Sequence, residues 1–261
     1  MNRAKKVGIN ALFLLLTLVV NALGAFGFIN GTSQSEVSNR YFTLITPSSS
    51  TFSIWSVIYT LLIISLIVMY IKRDEPYYQR IINKITPLFI LSSLLNIAWI
   101  VLFSFVFVEV STLFIFAYTI VLALICRQLS RRHGKNRWLL PVTFGLYTGW
   151  LMIATVVNVA ASLVKQNWNG FGLSDNIWAM ILLVGSAALV IGAVLSLKNA
   201  ALPLSVAWAY FGIYQNLVNE HQGDYTLLQI LSIVGVVVLI GCAGIQFYKN
   251  HYRVLPNRES H

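Results

Sequence analysis

Long apolar runs separated by short polar interruptions make up almost the whole of this chain. They fall at approximately residues 7–29, 51–71, 86–108, 110–126, 138–164, 176–197, 201–218 and 226–248, the fourth and seventh being the weakest. A helix rises about 1.5 Å per residue, so roughly 20 apolar residues cross a hydrocarbon core of about 30 Å. The pattern predicts an all-α integral membrane protein, a polytopic bundle of about eight transmembrane helices. Most connections are short, and "FVFVEVSTLF" turns from the third run to the fourth around Glu109 with hardly a linker. The longer polar stretches are residues 30–50, residues 165–175 ("KQNWNGFGLSD") and the smaller "NEHQGDYT". With eight spans, all three lie on one side.

Composition agrees with a membrane setting: 57% of the 261 residues are hydrophobic and only 10% are charged, too little polar surface for a water-soluble fold. The net charge of +10 would suit a nucleic-acid partner if it were clustered, but its placement follows the bilayer. Of 18 Lys and Arg residues, all except Arg40 and Lys165 fall in the tails or in the second, fourth and sixth connections. The positive-inside rule then places both termini in the cytoplasm of a multi-pass cell-membrane protein. On this reading "RRHGKNR" is a topology determinant next to the lipid bilayer rather than a nucleic-acid patch. The N-terminus has the basic, then apolar, then small-residue order of a signal peptide, but its apolar length favours a retained helix. Cys126 and Cys242 imply no disulfide framework.

Candidate chemistry is sparse. The eight acidic residues and four histidines all read as lying in loops, tails or span ends, so no ion-coupling charge, haem-ligating His, hydrolytic centre or metal site is expected inside the bundle. What the interior offers is amides and aromatic rings in helical register. Phe52, Trp55 and Tyr59 align in the second run. Ser92, Asn96, Trp99 and Phe103 align in the third, and Thr143, Tyr147, Trp150, Ala154 and Asn158 in the fifth. A buried Asn in a bilayer is costly unless bonded, so these faces should turn toward one another. Two readings follow: a cavity walled by indole and phenol rings for a flat hydrophobic ligand, or helix packing glued by Asn and Ser with interfacial Trp and Tyr.

The spacing of these residues resembles that of the TspO/MBR family, the tryptophan-rich sensory or translocator proteins. Pro47, Trp55 and Tyr59 fit the family's entry to its second helix. Leu95, Asn96, Trp99 and Phe103 fit its third. Pro141, Tyr147, Trp150, Ala154, Thr155 and Asn158 fit the fifth, with Ile153 where the family has Phe. Thr46, Ser49 and Thr51 depart from the pattern, standing where the family has its first proline, an aromatic and a Phe. These departures fall in a loop that helps close over ligand in the family. The resemblance spans residues 1–164 as a five-helix core and leaves three additional helices over residues 165–250 and a cytoplasmic tail over 251–261. It implies a sensor, receptor or carrier binding porphyrins, haem-like tetrapyrroles or other planar hydrophobic molecules, with no obligate cofactor. The ligand-binding role is carried onto Trp55, Asn96, Trp99, Trp150, Ala154 and Val157, and then onto Tyr59, Phe103, Tyr147 and Asn158. A homodimer is compatible with it, as are a secondary transporter using all eight helices and Trp-dependent porphyrin photodegradation. Trp208 and Tyr210 in the seventh run match nothing in the family and read as packing or belt residues, and Trp168 as an interface anchor.

Overall fold

The computed structural model of the protein describes residues 2–130, 137–221 and 225–256. Among them lie nine α-helices and no strand: α1 (Arg3–Ala25), α2 (Gln34–Arg40), α3 (Ile54–Ile71), α4 (Pro76–Ser104), α5 (Val108–Ser130), α6 (Leu139–Lys165), α7 (Asp175–Leu197), α8 (Leu202–His221) and α9 (Thr226–Lys249). A 3-10 turn over Ser49–Ser53 leads into α3. Seven of the helices are long and apolar enough to cross a membrane. The eighth long helix, α8, is not in that set although its 20 residues would reach about 30 Å. It lies along α6 and α9, with Leu202, Val206, Ala209, Tyr210, Ile213 and Leu217 fully buried.

Two of the expected boundaries are corrected. The long polar stretch 30–50 is not all loop: Ser33 caps α2 through a capping box with Glu36, and Val37 inserts between Phe103, Val108 and Ala161. Helix α4 starts ten residues before the expected 86, with Pro76 in its first turn. Its early part is amphipathic, burying Tyr77, Tyr78, Ile81, Ile82 and Ile85, so a search for unbroken apolar runs passes over it. Arg80 and Lys84 accordingly sit on a helix, not in a loop. His221 likewise closes α8 rather than opening a loop. Arg131, Arg132, His133, Lys135, Asp224, Arg258, Glu259 and His261 lie outside the described residues.

Alternation of the passes is visible in the side chains that tie the ends together. On one face, Arg3 pairs with Asp74, Lys6 donates to Asn83 and Arg137 pairs with Glu75. Arg137 also lies over the rings of Tyr77 and Tyr78. The Arg137 hydrogen bond holds the Glu75 carboxyl below its ordinary range, with help from Lys72. On the same face Asn199 donates to the Pro141 carbonyl and Asn250 to the Lys198 carbonyl. The opposite face is held by Asn30 on the Ser104 carbonyl and by Lys165 on Glu109 and the Val106 carbonyl. Both termini therefore emerge on the same face of the bundle.

Helix α6 is its axis, touching α3, α5, α7 and α8. Glycines make that possible. A Cβ at Gly149 would overlap the backbone carbonyl of Leu202, and one at Gly145 would sit 2.6 Å from the Asn199 amide.

Candidate functional site

Helices α3, α4 and α6 turn their aromatic stripes toward one another near the face opposite the termini. The centre is Trp55. It stacks on Tyr59 (centroids 5.2 Å apart, planes at 19°) and stands edge-to-face with Tyr147 (5.9 Å) and Trp150 (6.1 Å). Phe52, at the mouth, meets Trp150 edge-on at 6.0 Å. Across from them Trp99 and Phe103 of α4 lie 6.2 Å apart. Edge-to-face and offset contacts of this kind are the favourable ones for aromatic rings.

Between these rings runs a cleft with a free volume of about 60 Å³. Trp55, Trp99, Phe103, Trp150, Ala154, Val157 and Asn158 all line it. The other three expected site residues stand behind the wall. Asn96 is fully buried, accepting from Asn21 at 2.6 Å and donating to the Tyr118 hydroxyl at 3.2 Å. Tyr147 braces Trp55 and Tyr118 edge-on, and Tyr59 backs the Trp55 ring. Ser92, on the α4 stripe, bonds its own helix at the Phe89 carbonyl.

The lining also includes residues outside the expected set: Gln34 and Ser38 from α2, Pro47 and Phe52 from the entry segment, Ile153 from α6 and Ala209 from α8. The capping box of α2, Ser33-x-x-Glu36, was the available sign that a helix sits over the cleft. No comparable sign marks Ala209, whose role follows from the path of α8.

Two of the polar groups in the cleft are committed to the protein. The Trp99 indole N–H donates to Asn158 Oδ1 at 3.2 Å, and Asn158 Nδ2 donates to the Ala154 carbonyl of its own helix. The indole N–H of Trp150 and the side-chain amide nitrogen of Gln34, both in the lining, are buried without a hydrogen-bond partner. A buried donor left unpaired costs about 1–3 kcal/mol, so a ligand acceptor reaching Trp150 would recover an interaction the protein alone does not make. No Lys, Arg or His lines the cleft, and no His, Cys, Asp or Glu cluster among the described residues could hold a metal. The chemistry on offer is apolar stacking plus one or two hydrogen bonds.

The entry segment is pinned from outside the five-helix core. Ser48 precedes the 3-10 turn, but its side chain makes no capping bond and reaches Thr51 and Gln215. Trp208, read from sequence as a packing or belt residue, donates its indole N–H to the Thr51 carbonyl at 2.9 Å. Tyr210 packs inward and donates to the Leu183 carbonyl beside Ser186. Trp168 joins Phe171 and Trp178 in an aromatic cluster where the connection after α6 meets α7.

A family model described as "TSPO-like protein" matches residues 7–245, a span that runs from α1 into α9. No curated protein and no solved structure matches the chain.

Proposed function

Because the chain belongs to the family of TSPO-like proteins, we propose that it is a membrane receptor or carrier whose aromatic cleft takes a planar, largely apolar molecule, a porphyrin or haem-like tetrapyrrole being the first candidate. The observation that carries this reading is the convergence of five large rings on one cleft, Trp55, Trp99, Phe103 and Trp150 from three helices and Phe52 from the 3-10 turn. Two small residues, Ala154 of α6 and Ala209 of α8, are also in the lining.

Binding sites for small molecules enclose about 300–1,000 Å³, several times the free volume present. A tetrapyrrole therefore enters only if rings at the mouth swing aside. Phe52 is the one placed to do so: it is 39% exposed and sits on the 3-10 turn rather than in a long helix. Once it moves, the Trp150 edge that it covers is uncovered for stacking and for its N–H to find an acceptor.

The test is protoporphyrin IX added to purified protein, followed through tryptophan quenching and porphyrin absorbance. Ala154→Leu should fill the cleft and weaken binding at least tenfold while helix content stays intact, and the Trp99→Ala, Trp150→Ala pair should remove most of it. Stacking on an aromatic contributes about 1–3 kcal/mol per ring in comparable sites. Undiminished binding in both variants would rule out this cleft as the site.

A further inference from the structure

Helix α8 is the long helix whose composition falls outside the membrane-spanning set, and its polar side chains have a specific occupation. Asn216 Nδ2 donates to the Thr46 carbonyl at 3.0 Å. The Gly212 carbonyl accepts from the Ser48 amide at 3.0 Å. Gln215 Oε1 accepts from the Ser48 hydroxyl at 3.3 Å, and Trp208 bonds the Thr51 carbonyl. Positions 208, 212, 215 and 216 share one helical face, and that face bonds the backbone of Thr46, Ser48 and Thr51 and the Ser48 hydroxyl. Gly212 is required for the approach, since a Cβ there would overlap the Thr51 side chain. Thr46 and Thr51 are two of the positions at which this sequence departs from the family's entry motif, and both are buried against α8.

We propose that α8 is a latch on the cleft: Trp208, Gln215 and Asn216 are positioning residues that hold the entry segment, and through it Phe52 and Trp55, so that opening the cleft means breaking their bonds. The proposal rests on the ligand-binding reading of the cleft. Phe52 follows Thr51 directly, so the ring that must move for entry is attached to the residue that Trp208 and Gly212 hold. Ala209, one turn before Gly212 on the same helix, lines the cleft, which places occupancy and latch on one rigid element. The two amides Gln215 and Asn216 of α8 thereby have partners in the entry segment, the Ser48 hydroxyl and the Thr46 carbonyl.

The experiment uses the full-length protein in nanodiscs and the variants Gln215→Ala and Asn216→Ala, singly and together, with Trp178→Phe in α7, outside the cleft lining, as a control. All tryptophans near the cleft are kept. Amide hydrogen exchange is measured over residues 46–54, and stopped-flow association and dissociation are measured with protoporphyrin IX. The latch predicts exchange in that segment about tenfold faster in the double variant, as the loss of one or two hydrogen bonds implies. It also predicts that association and dissociation accelerate together, so that affinity changes far less than either rate, whereas a purely structural contact would lower affinity through dissociation alone. Unchanged exchange overturns the latch whether or not porphyrin binds. Faster exchange with unaltered ligand kinetics overturns its link to the cleft. Absence of porphyrin binding by the unaltered protein is a failure of the ligand reading instead, and the exchange result then decides whether α8 holds the segment.

Discussion

Asn96 shows how far a single residue can be read and where reading stops. An amide in the middle of an apolar run must turn inward and find a partner, and it does. Its partners could not be foreseen: Asn21 comes from a run that shows little besides apolar residues, and Tyr118 from the fourth run, one of the two weakest. Periodicity assigns a face, but a partner depends on how that face is rotated against its neighbours. The same holds for Tyr147, whose register points inward yet whose ring braces Trp55 instead of lining the cleft. Replacing Asn96 by Leu removes two interhelical bonds and strands the Tyr118 hydroxyl. Bonds of this type contribute about 0.6 kcal/mol on average within membranes and up to about 1.7, so a loss of about 1–3 kcal/mol is expected. It should register as a lower midpoint of thermal unfolding in detergent. An unchanged midpoint would mean that the Asn21–Asn96–Tyr118 chain contributes nothing to stability.

At the scale of elements, the pattern of runs locates long helices well where they are uniformly apolar and poorly where they change character. The first ten residues of α4 are amphipathic because one face packs on the bundle end while the other, with Arg80 and Lys84, meets water. Helix α2 is too short to show any period and is marked only by its cap. Helix α6 is legible as a span, but its centrality rests on two glycines whose purpose appears only once α8 is alongside. Gly149→Ala tests that seam. In an isolated helix the change would be stabilising by up to about 1 kcal/mol. Here the added methyl meets the Leu202 carbonyl, a backbone atom that cannot swing away, and overpacking of this kind costs about 1–3 kcal/mol. Gly192, on α7, has nothing within 4 Å of its Cβ position, so Gly192→Ala should be neutral or mildly stabilising. The two substitutions differ only in what the methyl group meets. Equal effects on thermal unfolding would show that α6 and α8 are not in close contact.

For the molecule as a whole, charge and hydrogen bonding give the same arrangement by independent routes. Every Lys and Arg except Arg40 and Lys165 falls at one end of the alternating runs, and the side-chain bonds from Arg3, Lys6, Arg137, Asn199 and Asn250 gather those same ends onto one face. That agreement depends on α8 crossing the bundle. Without it the C-terminal tail would lie on the far side, and the bonds between Asn250 and Lys198 and between the Ala200 amide and the Val254 carbonyl could not form. Helix α8 is one of the two weakest of the eight apolar runs and is the long helix outside the set of seven, because one of its faces carries Gln215 and Asn216, which bond the entry segment, while another packs on α6 and α9. The positive-inside rule predicts that the basic face is turned toward the cytoplasm. A protease-cleavable tag fused at either end should be cut in inside-out membrane vesicles and protected in right-side-out ones, for both termini alike. Opposite protection of the two tags would require an odd number of crossings and would remove α8 from the membrane. Protection of both in inside-out vesicles would keep the eight-pass bundle and invert it, placing the mouth of the aromatic cleft on the cytoplasmic side.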